Sequence, residues 1–152
     1  MTNIIISPWS RNAPNGQECA KNYPFWPQVT ELLRRKNITT IQIGVGNEKG
    51  IGADSSAFDL PLKDLVDLLK SCETWISVDN FFHHFAHFYR KPGVVIFGKS
   101  DPAIFGYKEN KNLLKDEKYL RNNQYLWWND EKLDENSFVS PEIVVNNVME
   151  LI

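Results

Sequence analysis

The chain is poor in cysteine, in long apolar runs and in excess charge of either sign, and each shortage removes a class of protein. Only two cysteines occur in 152 residues, Cys19 and Cys72, far apart and outside any metal-like spacing. That pattern fits free thiols in a reducing compartment and not a disulfide scaffold. No apolar stretch approaches the roughly 20 residues that a membrane-crossing helix needs, so no membrane span is expected. The opening MTNIIISPWSRN lacks the basic flank of a signal peptide, and a cytoplasmic protein is expected. Lys and Arg number 17 against 19 Asp and Glu, a net charge of −2. The electrostatic footprint of a nucleic-acid binder is therefore missing. The one dense basic cluster, Arg34–Arg35–Lys36, reads as the solvated end of a helix, where cations complement the helix dipole.

What is present is an alternation of short apolar runs with amphipathic segments. Ile4–Ile6 reads as a buried strand stopped by Ser7-Pro8, and a polar excursion follows. Residues 24–36 read as a helix with Val29, Leu32 and Leu33 on its inner face. Residues 40–45 form a second strand, and a loop runs on to a short 58–60 segment. Residues 61–71 are predicted as a helix, 75–78 as a strand, 80–89 as a helix and 94–97 as a strand. The stretch 99–135 looks irregular. A last helix spans 140–152, with Ser140 as its expected N-cap. This order predicts an α/β fold: one Rossmann-like domain over residues 1–152, a parallel sheet with helices on both faces.

In such sheets ligands bind beyond the carboxyl ends of the strands. The loops at that edge hold Arg11, Lys21, Glu48, Asp79, Asn80, Lys99, Ser100 and Asp101. The helix that follows TWISV starts almost at once, and its unpaired first-turn amides favour an anion. Asp79 or Asn80 capping that turn is the competing reading. GVGNEKGIG lacks the spacing and position of a dinucleotide fingerprint and reads as a loop. His83, His84 and His87 give H-H-x-x-H, but no further ligand stands at a zinc-like spacing and the glutamate of H-E-x-x-H is missing. No metal site is assigned. The rings of Phe81, Phe82, Phe85 and Phe88 read as core or interface packing.

The stretch SVDNFFHHFAHFYRKPGVVIFGKSDPAIFGY resembles the C-terminal half of the lipopolysaccharide heptosyltransferases, glycosyltransferases of GT-B architecture. Their pattern there is D-[TS]-G-x-x-H-x-A, then K-P-x-V-x-x-F-G and a T/S-D-P loop. This chain supplies Asp79, His84 and Ala86, then Lys91-Pro92, Phe97-Gly98 and Ser100-Asp101-Pro102. Lys21-Asn22-Tyr23-Pro24 is similar to the family's K-x-W-P, and Glu48 follows a glycine-rich strand end as the family's glutamate does. Phe81 stands where the family has glycine. The resemblance implies a domain that binds a nucleotide-sugar donor, commonly ADP-heptose, as substrate and with no separate cofactor. It places Asp79 and His84 near the sugar and diphosphate, Lys21 as the phosphate-neutralising cation and residues 80–82 as the phosphate cradle.

The family's acceptor-binding half carries the catalytic base and has no counterpart in these residues, so the catalytic residues stay unassigned. Glu48 and Asp101 are the carboxylates available for that role. Three readings follow. The first is a donor-binding unit that works with a separate acceptor-binding subunit or as a homodimer. The second is a module that captures a nucleotide or nucleotide-sugar without turnover, and the third is a structural domain that uses the fold alone. The aromatic residues Trp9, Tyr107, Trp127 and Trp128 serve either a stacked base or self-association.

Overall fold

Six parallel strands, in the order β3-β2-β1-β4-β5-β6, form the sheet on which everything else is arranged. The computed structural model describes residues 1–152. Strand β1 (Thr2–Ser7) is central, between β2 (Ile38–Gly44) and β4 (Thr74–Val78). Strand β3 (Ser55–Phe58) edges the β2 side, and β5 (Val94–Phe97) and β6 (Lys111–Leu114) complete the other. Its helices are α1 (Trp26–Arg35), α2 (Leu62–Ser71), α3 (Phe81–Phe88), the short α4 (Pro102–Phe105) and α5 (Pro141–Met149). None is long and apolar enough to cross a membrane.

The central strands are continuous apolar runs because helices cover both of their faces. Alternate side chains of β1 part accordingly. Ile4 and Ile6 pack with Trp26, Val29 and Leu33 of α1 and Val144, Val145 and Val148 of α5. Ile5 faces the opposite layer, with Leu65 and Leu69 of α2 and Phe82 and Ala86 of α3. Each such fully buried aliphatic or aromatic side chain contributes about 1.5–3 kcal/mol. The α/β architecture with helices on both faces is thus the one the residue pattern predicts.

Two local expectations need correction. Residues 55–58 are an edge strand and not loop, because Ser55 and Ser56 are exposed and leave no apolar run to read. Residues 111–114, inside the stretch expected to be irregular, form β6, whose residues are all half-buried. Ser140 stands at the N-cap position of α5 as expected, but makes no side-chain capping bond. The lysine of Lys91-Pro92 is tied into the scaffold, since its ammonium donates to the Leu69 carbonyl (2.6 Å) and to that of Cys72, at the carbonyl end of α2. Cys19 and Cys72 are buried free thiols.

Chain order sets the site. After β1 the strands are laid to one side as β2 and β3, and β4 then returns to the other flank of β1. Loops leaving β1 and β4 therefore diverge, and a crevice opens between them at the strands' carboxyl ends.

Candidate functional site

The two loops at that crevice are stitched together by polar side chains. Ser10 donates through Oγ to the Asp79 carbonyl (3.0 Å) and through its amide to Asn22 Oδ1 (2.8 Å). Asn80 Nδ2 donates to Ser7 Oγ (3.0 Å), while its Oδ1 accepts from the Phe82 amide (2.9 Å). Asn80 is thus the N-cap of α3, one of the two residues expected to cap that turn. The amide of Phe82 is used by the cap.

Asp79 is left free for other partners. Its side chain is 5% exposed, with Oδ1 accepting from His83 Nε2 at 2.9 Å and Oδ2 lying 3.1 Å from Lys21 Nζ. Burial pushes the Asp79 carboxyl up. The hydrogen bond from His83 and the charges of Lys21 and His83 outweigh it and hold the group below the usual carboxylate range. His83 reaches Asp79 because it lies in the first turn of α3, whose start follows Asp79 with only the Asn80 cap between them. Sequence reasoning chose His84 for this corner and missed His83.

Lys21 is held from a second direction. Its ammonium lies 4.9 Å from the ring centroid of Trp128, and the Arg121 guanidinium carbon lies 4.3 Å from the same centroid. Arg121 also donates to the carbonyls of Leu126 and Trp127, each at 2.9 Å, and so shapes the segment that carries Trp128. No local pattern in the sequence announces Arg121.

His84 is the exposed histidine of the group, with Nδ1 2.7 Å from the Tyr107 hydroxyl. Burial comes first among the influences that lower its pKa, followed by the charge of His83, with Lys21 and His87 adding to it against the opposing charge of Asp79. The shift favours the neutral ring. Glu48 folds back over Gly44, where a Cβ would collide with its carboxylate, so the glycine is what lets the acid lie there. Burial, then the charge of Asp59, raise the Glu48 carboxyl, against a bond from the Val45 amide that lowers it.

These elements enclose an open cleft of about 1860 Å³. Of the residues expected at a ligand site, Arg11, Lys21, Glu48, Asp79, Asn80 and His84 line it. Lys99, Ser100 and Asp101 do not. Lys99 pairs with Glu131 (3.3 Å), Ser100 is buried, and Asp101 Oδ1 accepts from the Ala103 amide (2.9 Å) to cap α4. The S-D-P element is here a helix start. Trp9, Trp127 and Trp128 also line the cleft, and Val45, Leu62, Phe81 and Trp127 stand exposed around it. Asp79, His83 and His84 offer ligand atoms within 4.8 Å of one another. Both Asp79 oxygens are already engaged, and a dication there would sit beside the Lys21 ammonium, so the group suits an anion better than a metal.

No family model matches this chain, and no curated protein matches it either. Solved structures do. A family 9 glycosyl transferase from Veillonella parvula superposes with TM-score 0.72 and 18% identity over 99% of this chain and 46% of that one. ADP-heptose lipopolysaccharide heptosyltransferase II of E. coli gives 0.68 and 16%, over 99% and 46%. The dodecameric iron-containing heptosyltransferase TibC, in complex with ADP-D-beta-D-heptose, gives 0.67 and 19%, over 99% and 44%. This chain spans less than half the length of each, and at such identities the likeness is one of fold: a Rossmann-like α/β unit of the kind found in bacterial heptosyltransferases and their glycosyltransferase relatives.

Proposed function

We propose that this chain is a nucleotide-sugar-binding-like domain, the donor half of a glycosyltransferase of the NDP-heptose type, acting with a separate acceptor-binding partner or a second copy. The observation that carries the reading is the convergence of Lys21, Asp79 and His84 on one crevice between β1 and β4. A diphosphate leaving group needs cationic and N–H donors where charge develops as the glycosidic bond breaks. Lys21 supplies the charge and His84 the ring nitrogen, while Asp79 orients the ammonium. Trp9, Trp127 and Trp128 offer apolar faces for a base. The heptosyltransferase neighbours, one of them in complex with ADP-heptose, support the choice of ligand class.

The exposed apolar side chains around the mouth, Val45, Leu62, Phe81 and Trp127, support a covering partner. Glu48 is the one carboxylate of the two considered as general base that lies in the cleft. The reading needs no cofactor.

Thermal-shift screening against nucleoside diphosphates and nucleotide-sugars tests the proposal. A ligand at a hundred times its Kd stabilises by about 2.7 kcal/mol, a shift of several degrees. No shift across the panel rejects donor binding. If a shift appears, time-resolved release of nucleoside diphosphate separates turnover from capture.

A further inference from the structure

His84 borders two hollows. One is the cleft already described; the other is a shallow one behind it, lined by His84, His87, Arg90, Tyr107 and Glu109 among others. Tyr107 stands at their boundary and is held on several sides. Its ring stacks on His87 with centroids 3.7 Å apart and planes 8° from parallel. His87 in turn is tied through Nδ1 to Glu109. Asn112 Nδ2 donates to the Tyr107 carbonyl (2.9 Å), which fixes the backbone. The phenol therefore has little freedom except to aim its hydroxyl at His84 Nδ1, 2.7 Å away.

We infer that Tyr107 fixes the tautomer of His84, so that His84 meets the cleft as an Nε2–H donor matched to an anionic oxygen. The inference rests on the donor-site reading and adds a positioning residue to it. A phenol oxygen shares its lone pairs with the ring, so it donates more readily than it accepts, and a bare imidazole nitrogen is a good acceptor. The Tyr107 hydroxyl and His84 Nδ1 lie 2.7 Å apart, and that preference makes the phenol the donor and Nδ1 the acceptor. A neutral imidazole has one proton, and with Nδ1 accepting, that proton is on Nε2. In the opposite tautomer Nε2 would be a bare lone pair, which suits a cation or a hydroxyl donor and repels a phosphate oxygen. Tyr107 thus sets the kind of ligand the cleft takes without touching it.

Two measurements on the ligand-free and pyrophosphate-bound protein test this. In long-range proton–nitrogen spectra at pH 7, the wild-type His84 ring should show a bare Nδ1 and a protonated Nε2. Tyr107→Phe should admit the other tautomer and remove the hydrogen-bond shift at Nδ1. A protonated Nδ1 in the wild type, or identical spectra for the two proteins, overturns the inference. In calorimetric titration with inorganic pyrophosphate, Tyr107→Phe should weaken binding roughly tenfold, the size of one lost hydrogen bond to a charged group. In a His84→Ala background the same change should have no further effect; an undiminished loss there would mean that Tyr107 acts on folding and not through His84. Failure of the wild type to bind pyrophosphate rejects the donor-site reading, while the nitrogen spectra still judge the tautomer.

Discussion

Asp79→Asn tests the centre of the site. The substitution keeps the shape and one hydrogen-bond acceptor but removes a charge that is 5% exposed and lies between Lys21 and His83. Breaking a buried pair by removing one partner costs about 3–5 kcal/mol. Lys21 keeps 22% exposure and so recovers part of its hydration, and the expected loss is about 2–4 kcal/mol at pH 7. Urea titration reads this as a midpoint lowered by about 1–2 M with unchanged slope. Acid gives a second check. The folded Asp79 pKa lies below the unfolded value, so the unfolded chain binds the proton more readily. The stabilisation is complete above the unfolded pKa, about 3.9, and is lost as pH falls through the folded value. The gap between wild type and variant should therefore narrow below that point. A loss under about 0.5 kcal/mol, or a gap that persists unchanged into acid, would refute the claim that this carboxylate is a buried, paired anion.

Further outcomes can be stated briefly. Lys21→Met and His84→Ala should each weaken pyrophosphate binding about tenfold by calorimetry while both proteins stay folded; unchanged affinity in both rejects the pocket. Gly44→Ala should displace Glu48, destabilise by about 1–3 kcal/mol in urea and return the Glu48 carboxyl toward its ordinary titration, followed by NMR. Arg121→Ala should free residues 125–128 and speed chymotrypsin cleavage there; equal nicking rates would show that the guanidinium does not hold that segment.

Legibility followed burial. Ile4–Ile6, Trp75–Val78 and Val94–Phe97 are core strands in which every residue is apolar or small, so their periodicity was readable and the architecture followed from their order. Strands β3 and β6 are edges, with polar residues facing water, and carry no such pattern. Within the site, Asp79 and His84 were readable because one sits just beyond the end of a strand and the other early in a helix, and Lys21 because it lies in the polar loop that leaves β1. Arg121 reaches the same corner from far down the chain, through long-range folding that spacing does not encode. Asp101 showed the converse: a ligand-like carboxylate whose oxygen is used by its own helix.

Asn80 has a consequence for recognition. With one amide it ties the exit of β1 to the start of α3, Nδ2 reaching Ser7 and Oδ1 reaching Phe82. The gap between the two loops is therefore set before any guest arrives. On the proposed donor-site reading, a guest would meet walls that Asn80 has already tied together, and selectivity would track the fit of the guest more than its capacity to remould the host.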